Sequence, residues 1–331
     1  MSASARIILA DPSYDPFADG AACDFAIGAF DGVHRGHAEL IAGMRAHAAE
    51  HGCPCAAVLF DPDPSAVLMP EGAEDALMCI DERIDALLDL GINAVVCFGF
   101  DAELAATPYD DFIEGRLAGI APIAALFVGQ GFRLGAGGAG DVGALESLGK
   151  AWGFEVFGVP LTQAGGLPVS SSRIRSLIEA GDVAAASKLL GRPHAVMGAV
   201  VHGRGEGTGL GFPTANIVVG EGLCVPAEGV YACWADVPDG RFPAAVNVGA
   251  PRSFTAASAQ GCTGTLMEAH LIGFSDELYG CTLKLSFVER IRPQECFASI
   301  ADLQSAVSDN IEWVRRRLGG SEEVDDDRGR G

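Results

Sequence analysis

Positive charge is scarce in this chain. Its 331 residues hold 22 Lys and Arg against 44 Asp and Glu, a net charge of −22. Nucleic-acid surfaces need clustered Lys and Arg to neutralise phosphates, so this balance argues against a nucleic-acid partner. It leaves nucleotides open as ligands, because helix N-termini, backbone N–H groups and Mg2+ supply local positive potential. Long apolar runs are also missing. No uncharged stretch approaches the ~20 residues of a membrane-spanning helix, and no membrane partner is expected. The first residues show no basic segment leading into an apolar one, so no signal peptide is expected. The ten cysteines are scattered, with Cys53-Pro54-Cys55 the closest pair and no CxxC. That pattern favours small buried thiols in a reducing compartment over disulfides or zinc, and a cytoplasmic location follows.

What is present is enough apolar residue, 49%, for real cores, and enough length for about two domains of ~150 residues. The first half alternates strands and helices. An edge strand is expected at Ile7–Leu9, then strands at Phe25–Ile27, Ala56–Phe60, Ala94–Phe98, Ala124–Val128 and Glu155–Val159. Helices are expected to about Glu50, from a cap at Asp81, from Pro108 through Leu117, and over Val142–Trp152. Strands alternating with helices predict a parallel sheet with crossover helices, whose ligands bind beyond the carboxyl ends of the strands. After Leu190 short alternating segments dominate: Ala195–His202, Gly229–Val237, Ala244–Val248, Leu266–Ile272 and Thr282–Arg290. Turn signals such as Pro238-Asp239-Gly240 separate them, which predicts a small antiparallel β-barrel. A last helix is expected over Ile300–Leu318. The acidic tail 319–331 lacks an apolar face and is expected to be disordered.

Two stretches carry candidate chemistry. Gly28-Ala29-Phe30-Asp31-Gly32-Val33-His34-Arg35-Gly36-His37 follows a strand and opens a helix, placing two imidazoles where a helix dipole favours phosphate. The stretch Val169–Asn216 begins with Ser170-Ser171-Ser172-Arg173-Ile174-Arg175, the start of a helix suited to phosphate. It ends in a glycine-rich loop running into Pro213-Thr214-Ala215-Asn216. That loop lacks the Gly-Lys-Ser/Thr ending of a Walker A motif. Glycine richness alone is weak, since hairpins also use it; the adjoining PTAN makes it specific.

The GxFDGxHxGH and SSSRIR strings resemble those of HxGH nucleotidyltransferases, in the form found in bacterial bifunctional riboflavin kinase/FMN adenylyltransferases. The glycine loop with PTAN resembles the riboflavin kinase signature. Met267-Glu268-Ala269-His270 with Glu277-Leu278-Tyr279-Gly280 resembles that family's base-bearing strand and turn. The resemblance spans roughly Asp24 to Leu318.

It implies a Rossmann-like nucleotidyltransferase domain over 1–190 and a β-barrel kinase domain with a terminal helix over 191–318. It further implies flavin cofactor biosynthesis with MgATP: riboflavin to FMN, then FMN to FAD with pyrophosphate leaving. His34 and His37 would stabilise the transferring phosphate. Gly28, Phe30, Asp31, Gly36, Ser171 and Arg173 would hold the nucleotide of the first site, and Gly203, Gly205, Gly207 and Gly211 that of the second. Thr214 and Asn216 would bind Mg2+, and Glu268 would be the catalytic base. Small molecules, namely riboflavin, FMN and ATP, would be the partners.

The chain also departs from the pattern. Pro62-Asp63-Pro64 stands where Pro-His-Pro is usual. Gly131 replaces a polar residue and Leu134 a Phe. Ala136–Gly140 has no basic residue, and Gly249-Ala250-Pro251-Arg252-Ser253-Phe254 transposes a usual Arg-Pro. Two other readings therefore stay open: a riboflavin kinase with an eroded adenylyltransferase half, and a non-catalytic flavin- or nucleotide-binding protein.

Overall fold

The computed structural model describes residues 5–18, 20–202, 212–249 and 264–319. Gly203, Gly205, Gly207 and Gly211, the Pro251-Arg252 pair and residues 320–331 of the acidic tail expected to be disordered lie outside the described residues. The chain divides into two compact units, Met1–Ser171 and Ser172–Gly331.

In the first unit, β1 (Ala5–Leu9), β2 (Cys23–Ile27), β3 (Cys55–Asp61), β4 (Ala94–Gly99), β5 (Ile123–Gly129) and β6 (Glu155–Val159) form one sheet in the order β1-β4-β3-β2-β5-β6. β1 is antiparallel to β4, as an edge strand; the other pairings are parallel. β2, β3 and β4 read as continuous apolar runs because both of their faces are covered. One face packs Phe25, Val58, Val96 and Leu126. The other packs Ala57, Leu59, Val95 and Phe127. Each large side chain buried this way contributes roughly 1.5–3 kcal/mol. The chain passes from β2 to β3 on one side, and after β4 it crosses to β5 on the other side of β2. The crevice between the carboxyl ends of β2 and β5 is thus the switch point where such sheets bind ligands.

The crossover helices follow from local signals. α1 (Arg35–His51) buries Leu40, Ile41, Met44 and Ala48 and ends at Gly52, whose left-handed φ of 65° a side chain would resist. α2 (Pro64–Leu68) was not expected from sequence. Asp63 caps it, accepting from Ser65 N–H at 2.9 Å, and Pro64 sits where its missing N–H costs nothing. α3 (Ile80–Leu88) is capped at Cys79, not at Asp81. Asp81 lies in the first turn, where a carboxylate favours the helix dipole equally well, so acid placement alone does not fix the cap. α4 (Ala102–Ala105) precedes α5 (Tyr109–Phe112), which starts after Pro108 and continues as a π turn over Ile113–Leu117. α6 (Val142–Trp152) leads into β6, after which β7 (Gln163–Ala164) and β8 (Leu167–Pro168) make a short hairpin.

α7 (Ser171–Glu179) begins at the last residue of the first unit and its remainder opens the second, followed by α8 (Val183–Leu190). Then β9 (His194–Val201), β10 (Ala215–Val219), β11 (Gly229–Val237), β12 (Gly240–Val248), β13 (Thr265–Leu271) and β14 (Thr282–Arg292) close into a barrel in the order β10-β13-β12-β11-β14-β9. Sequence patterning omits β10, whose first residue lies two positions after Pro213. The barrel is filled by alternate residues, among them Ile217, Val246, Met267, Ala269 and Leu285. α9 (Ile300–Leu318), capped by Ser299, lays Ile311, Val314 and Leu318 against Ala232 and Ile272.

Candidate active sites

In the first unit a cavity of about 350 Å³ lies beyond the carboxyl ends of β2, β5 and β6. Its lining includes Gly28, Phe30, His34, Gly36, His37 and Ser171. α1 aims its N-terminus here, with no acidic residue in its first turn to offset the dipole. His34 is the cap: its Nδ1 accepts from the His37 N–H at 3.3 Å. The two imidazoles stack with centroids 3.6 Å apart, and Phe30 meets His37 edge-on at 5.1 Å. A side chain at Gly36 would start 3.2 Å from the His34 ring, so glycine lets the pair stack. Phe30 and Val33 both have positive φ, 50° and 37°, a sparsely populated state for bulky residues.

That strained loop is held from behind. Asp31 does not line the cavity. Its buried carboxylate accepts from Leu77 N–H at 2.9 and 3.1 Å and from Arg83 at 3.2 Å. Arg83, also buried, donates to the Ala29 carbonyl at 2.8 Å. Ser171 donates from Oγ to the Asp31 carbonyl at 2.9 Å, which seats the Ser-rich motif on the same loop. Arg173 lies half-buried in the first turn of α7.

In the barrel, Asn216 of β10 is the register partner of Glu268 of β13, and Glu268 that of Asn247 of β12. Directly opposed residues share a face, with Cβ atoms roughly 4.5–5.5 Å apart. Ile217, Met267 and Val246 fill the interior, so this polar row lies on the outer face. Thr214 immediately precedes β10. The Pro213 carbonyl before it accepts from His270 Nδ1 at 2.8 Å, which ties the PTAN segment to the strand carrying Glu268. Asn247 and His270 belong to strings noted in the sequence, but only the strand register brings them beside Glu268 and Pro213.

Known proteins show the same two-part order. The FAD synthetase family model matches residues 18–173, and the riboflavin kinase model matches residues 190–318. The bifunctional riboflavin kinase/FMN adenylyltransferase of Escherichia coli K12 is 32% identical over 86% of this chain and 90% of its own length. The chain belongs to the bifunctional riboflavin kinase/FMN adenylyltransferase family. The family member of Pseudomonas fluorescens is also 32% identical, over 88% of this chain and 92% of its own. That of Bacillus subtilis is 31% identical over 88% and 91%. A Streptococcus pneumoniae crystal structure, described as that of a macrolide-efflux protein, matches with a TM-score of 0.79 at 26% identity, covering 89% of this chain and 94% of its own. The family makes flavin cofactors, with ATP as co-substrate and FMN and FAD as products.

Against the family pattern, the departures have local explanations. Asp63 caps α2. Ala136–Gly140 does not line the cavity, whereas Gly131 and Phe132 do. The Leu134–Gly140 loop is closed by mutual backbone bonds of 3.0 and 2.9 Å, and Tyr109 packs against Gly135 and Gly140. Arg133 reaches Asp141 at 2.8 Å at the foot of this loop. No helix among the described residues is long and apolar enough to cross a membrane.

Proposed function

We infer that the chain carries both activities on one polypeptide, with adenylyl transfer in the cavity of the first unit and phosphoryl transfer on the outer face of the barrel. A nucleotidyltransferase module over 1–190 and a kinase module over 191–318 are the corresponding domains. The observation that supports this most is the stacked His34–His37 pair at the N-terminus of α1, with Ser171 anchored to the same loop. Adenylyl transfer needs no covalent intermediate; alignment and charge neutralisation suffice. The two imidazoles and the N–H groups of α1 would stabilise the α-phosphate as FMN's phosphate attacks and pyrophosphate leaves. Gly28, Phe30 and Gly36 would shape the nucleotide's seat, the carbonyl and carboxylate of Asp31 would hold its loop, and Ser171 and Arg173 would take the outgoing phosphates.

On the barrel, Glu268 would accept the proton of riboflavin's ribityl 5′-hydroxyl as that oxygen attacks the γ-phosphorus. The Thr214 hydroxyl and the Asn216 amide oxygen are hard donors of the kind Mg2+ takes, and the ion would neutralise phosphate charge there. Asn216 and Asn247, flanking Glu268 in register, would orient its carboxylate. The glycines 203, 205, 207 and 211 would cover the ATP phosphates. A cytoplasmic location follows from use of ATP.

Purified protein given MgATP with riboflavin, and separately with FMN, tests this by chromatography of the flavins. FAD is expected from both. FMN without FAD would favour the kinase-only reading. No conversion would favour a binding protein.

A further inference from the structure

A second constellation of the first unit lies at the other end of the sheet, and neither reaction uses it. Asp24, near the start of β2, is fully buried, and its Oδ2 accepts from His47 Nδ1 at 2.7 Å. In neutral His47, that bond to the Asp24 carboxylate uses the Nδ1 proton and leaves the lone pair on Nε2. The Nε2 atom is buried and has no hydrogen-bond partner. It faces Oε1 of Glu155, the first residue of β6, at 3.8 Å, too long for a hydrogen bond. One helical turn on, His51 stacks on His47 with centroids 4.0 Å apart. Its own Nδ1 donates to the His47 carbonyl at 2.8 Å, which again leaves Nε2 as the acceptor. One donor atom from each of His47, His51 and Glu155 lies within 4.8 Å of the others.

We propose that His47, His51 and Glu155 bind one divalent transition-metal ion of the zinc type, with Asp24 orienting His47 from behind. Two imidazoles and a carboxylate suit zinc rather than Mg2+ or Ca2+, which prefer all-oxygen sets. A tetrahedral ion with bonds of about 2.1 Å holds its donors about 3.4 Å apart, so the 3.8 Å gap needs to close by about 0.4 Å and no donor pair, all being within 4.8 Å, by more than about 1.4 Å. Each histidine has its Nδ1 held by a carboxylate or carbonyl, the usual outer shell of a metal-binding imidazole. The ion would tie the last residue of α1 to the start of β6, leaving a fourth position open to water. The site is separate from the phosphate cavity at the opposite strand ends.

Untagged full-length protein, stripped with EDTA and titrated with Zn2+ against a chromophoric chelator, tests this. His51 and Glu155 are exposed, so H51A and E155A leave the packing intact, which far-UV circular dichroism verifies. Wild type is expected to take up one equivalent that H51A and E155A each weaken by more than about tenfold. D24N, which removes no ligand, should weaken it about 10–100-fold. Zn2+ should raise the unfolding temperature of wild type but not of H51A. Uptake unchanged in both H51A and E155A, or no uptake by wild type, would overturn the proposal and leave an Asp–His–Glu ion pair.

Discussion

Arg83 contributes no atom to the cavity, yet its loss should slow one of the two reactions about a hundredfold. Its guanidinium is buried against the Asp31 carboxylate and the Ala29 carbonyl, and together they hold the loop in which Phe30 and Val33 adopt positive φ. Arg83→Met keeps the apolar stem and removes the charge. Breaking a buried ion pair costs about 3–5 kcal/mol, because the remaining charge is stranded. Asp31 retains the Leu77 N–H, so the lower end, about 3 kcal/mol, applies here. For a unit of this size that shifts the unfolding midpoint down by about 6–12 °C. The released loop carries the His34 cap, and a misplacement near 1 Å lowers catalysis about a hundredfold. FMN-to-FAD conversion should therefore fall about that much, while riboflavin-to-FMN conversion in the barrel stays at the wild-type rate. Adding Asp31→Asn removes the stranded charge and should recover part of the stability. Calorimetry and separate assays of the two reactions read these effects. Wild-type stability and wild-type FAD formation in the Arg83→Met variant would refute the loop-clamp reasoning.

Glu268→Gln should lower FMN formation about 10²–10⁴-fold, the usual worth of a general base, while FAD formation from supplied FMN is unchanged; rates with each flavin check this. Gly36→Ala should displace the His34 ring, which a new Cβ would meet at 3.2 Å. FAD formation should drop about tenfold with little change in unfolding temperature, read by paired kinetics and melting. Tyr231 is buried and donates to the Ala227 carbonyl at 2.6 Å, and burial pushes its phenol up to about 12. The native state thus holds this proton more tightly than the unfolded chain, whose phenol titrates near 10. Its contribution is complete below about pH 10 and is lost as pH rises toward about 12, by up to about 3 kcal/mol. Tyr231→Phe should flatten that part of the stability–pH curve in denaturant titrations; an identical slope would exclude Tyr231 as its source.

The parts legible in the sequence were those encoded locally. β2 to β5 stand out because doubly covered strands are nearly continuous apolar runs, and β11 to β13 because a barrel alternates inside and outside. Part of the cavity was legible because its residues sit in two short strings, each at a helix start, whereas Gly129, Phe132 and Leu161 reach it from the end of β5 and the loops after β5 and β6. β10 was hidden because PTAN reads as a loop end, and α2 because Pro62-Asp63-Pro64 reads as a turn when its middle carboxylate is a cap. The Arg83–Asp31 pair, the Asn216–Glu268–Asn247 row and the His270 tie to Pro213 join residues about 20 to 60 positions apart. Their proximity is set by strand register and packing, which composition and spacing do not encode.

The central claim, two phosphate chemistries at two sites of one chain, is tested most directly by following label from ATP. With riboflavin and ATP labelled in the γ-phosphate, label should enter FMN and persist in FAD. With ATP labelled in the α-phosphate, label should enter FAD and never FMN. The Glu268→Gln variant, given FMN, should still incorporate the α-label. Label from γ-ATP in FMN with no α-label in FAD, or loss of α-label incorporation in Glu268→Gln, would contradict the account.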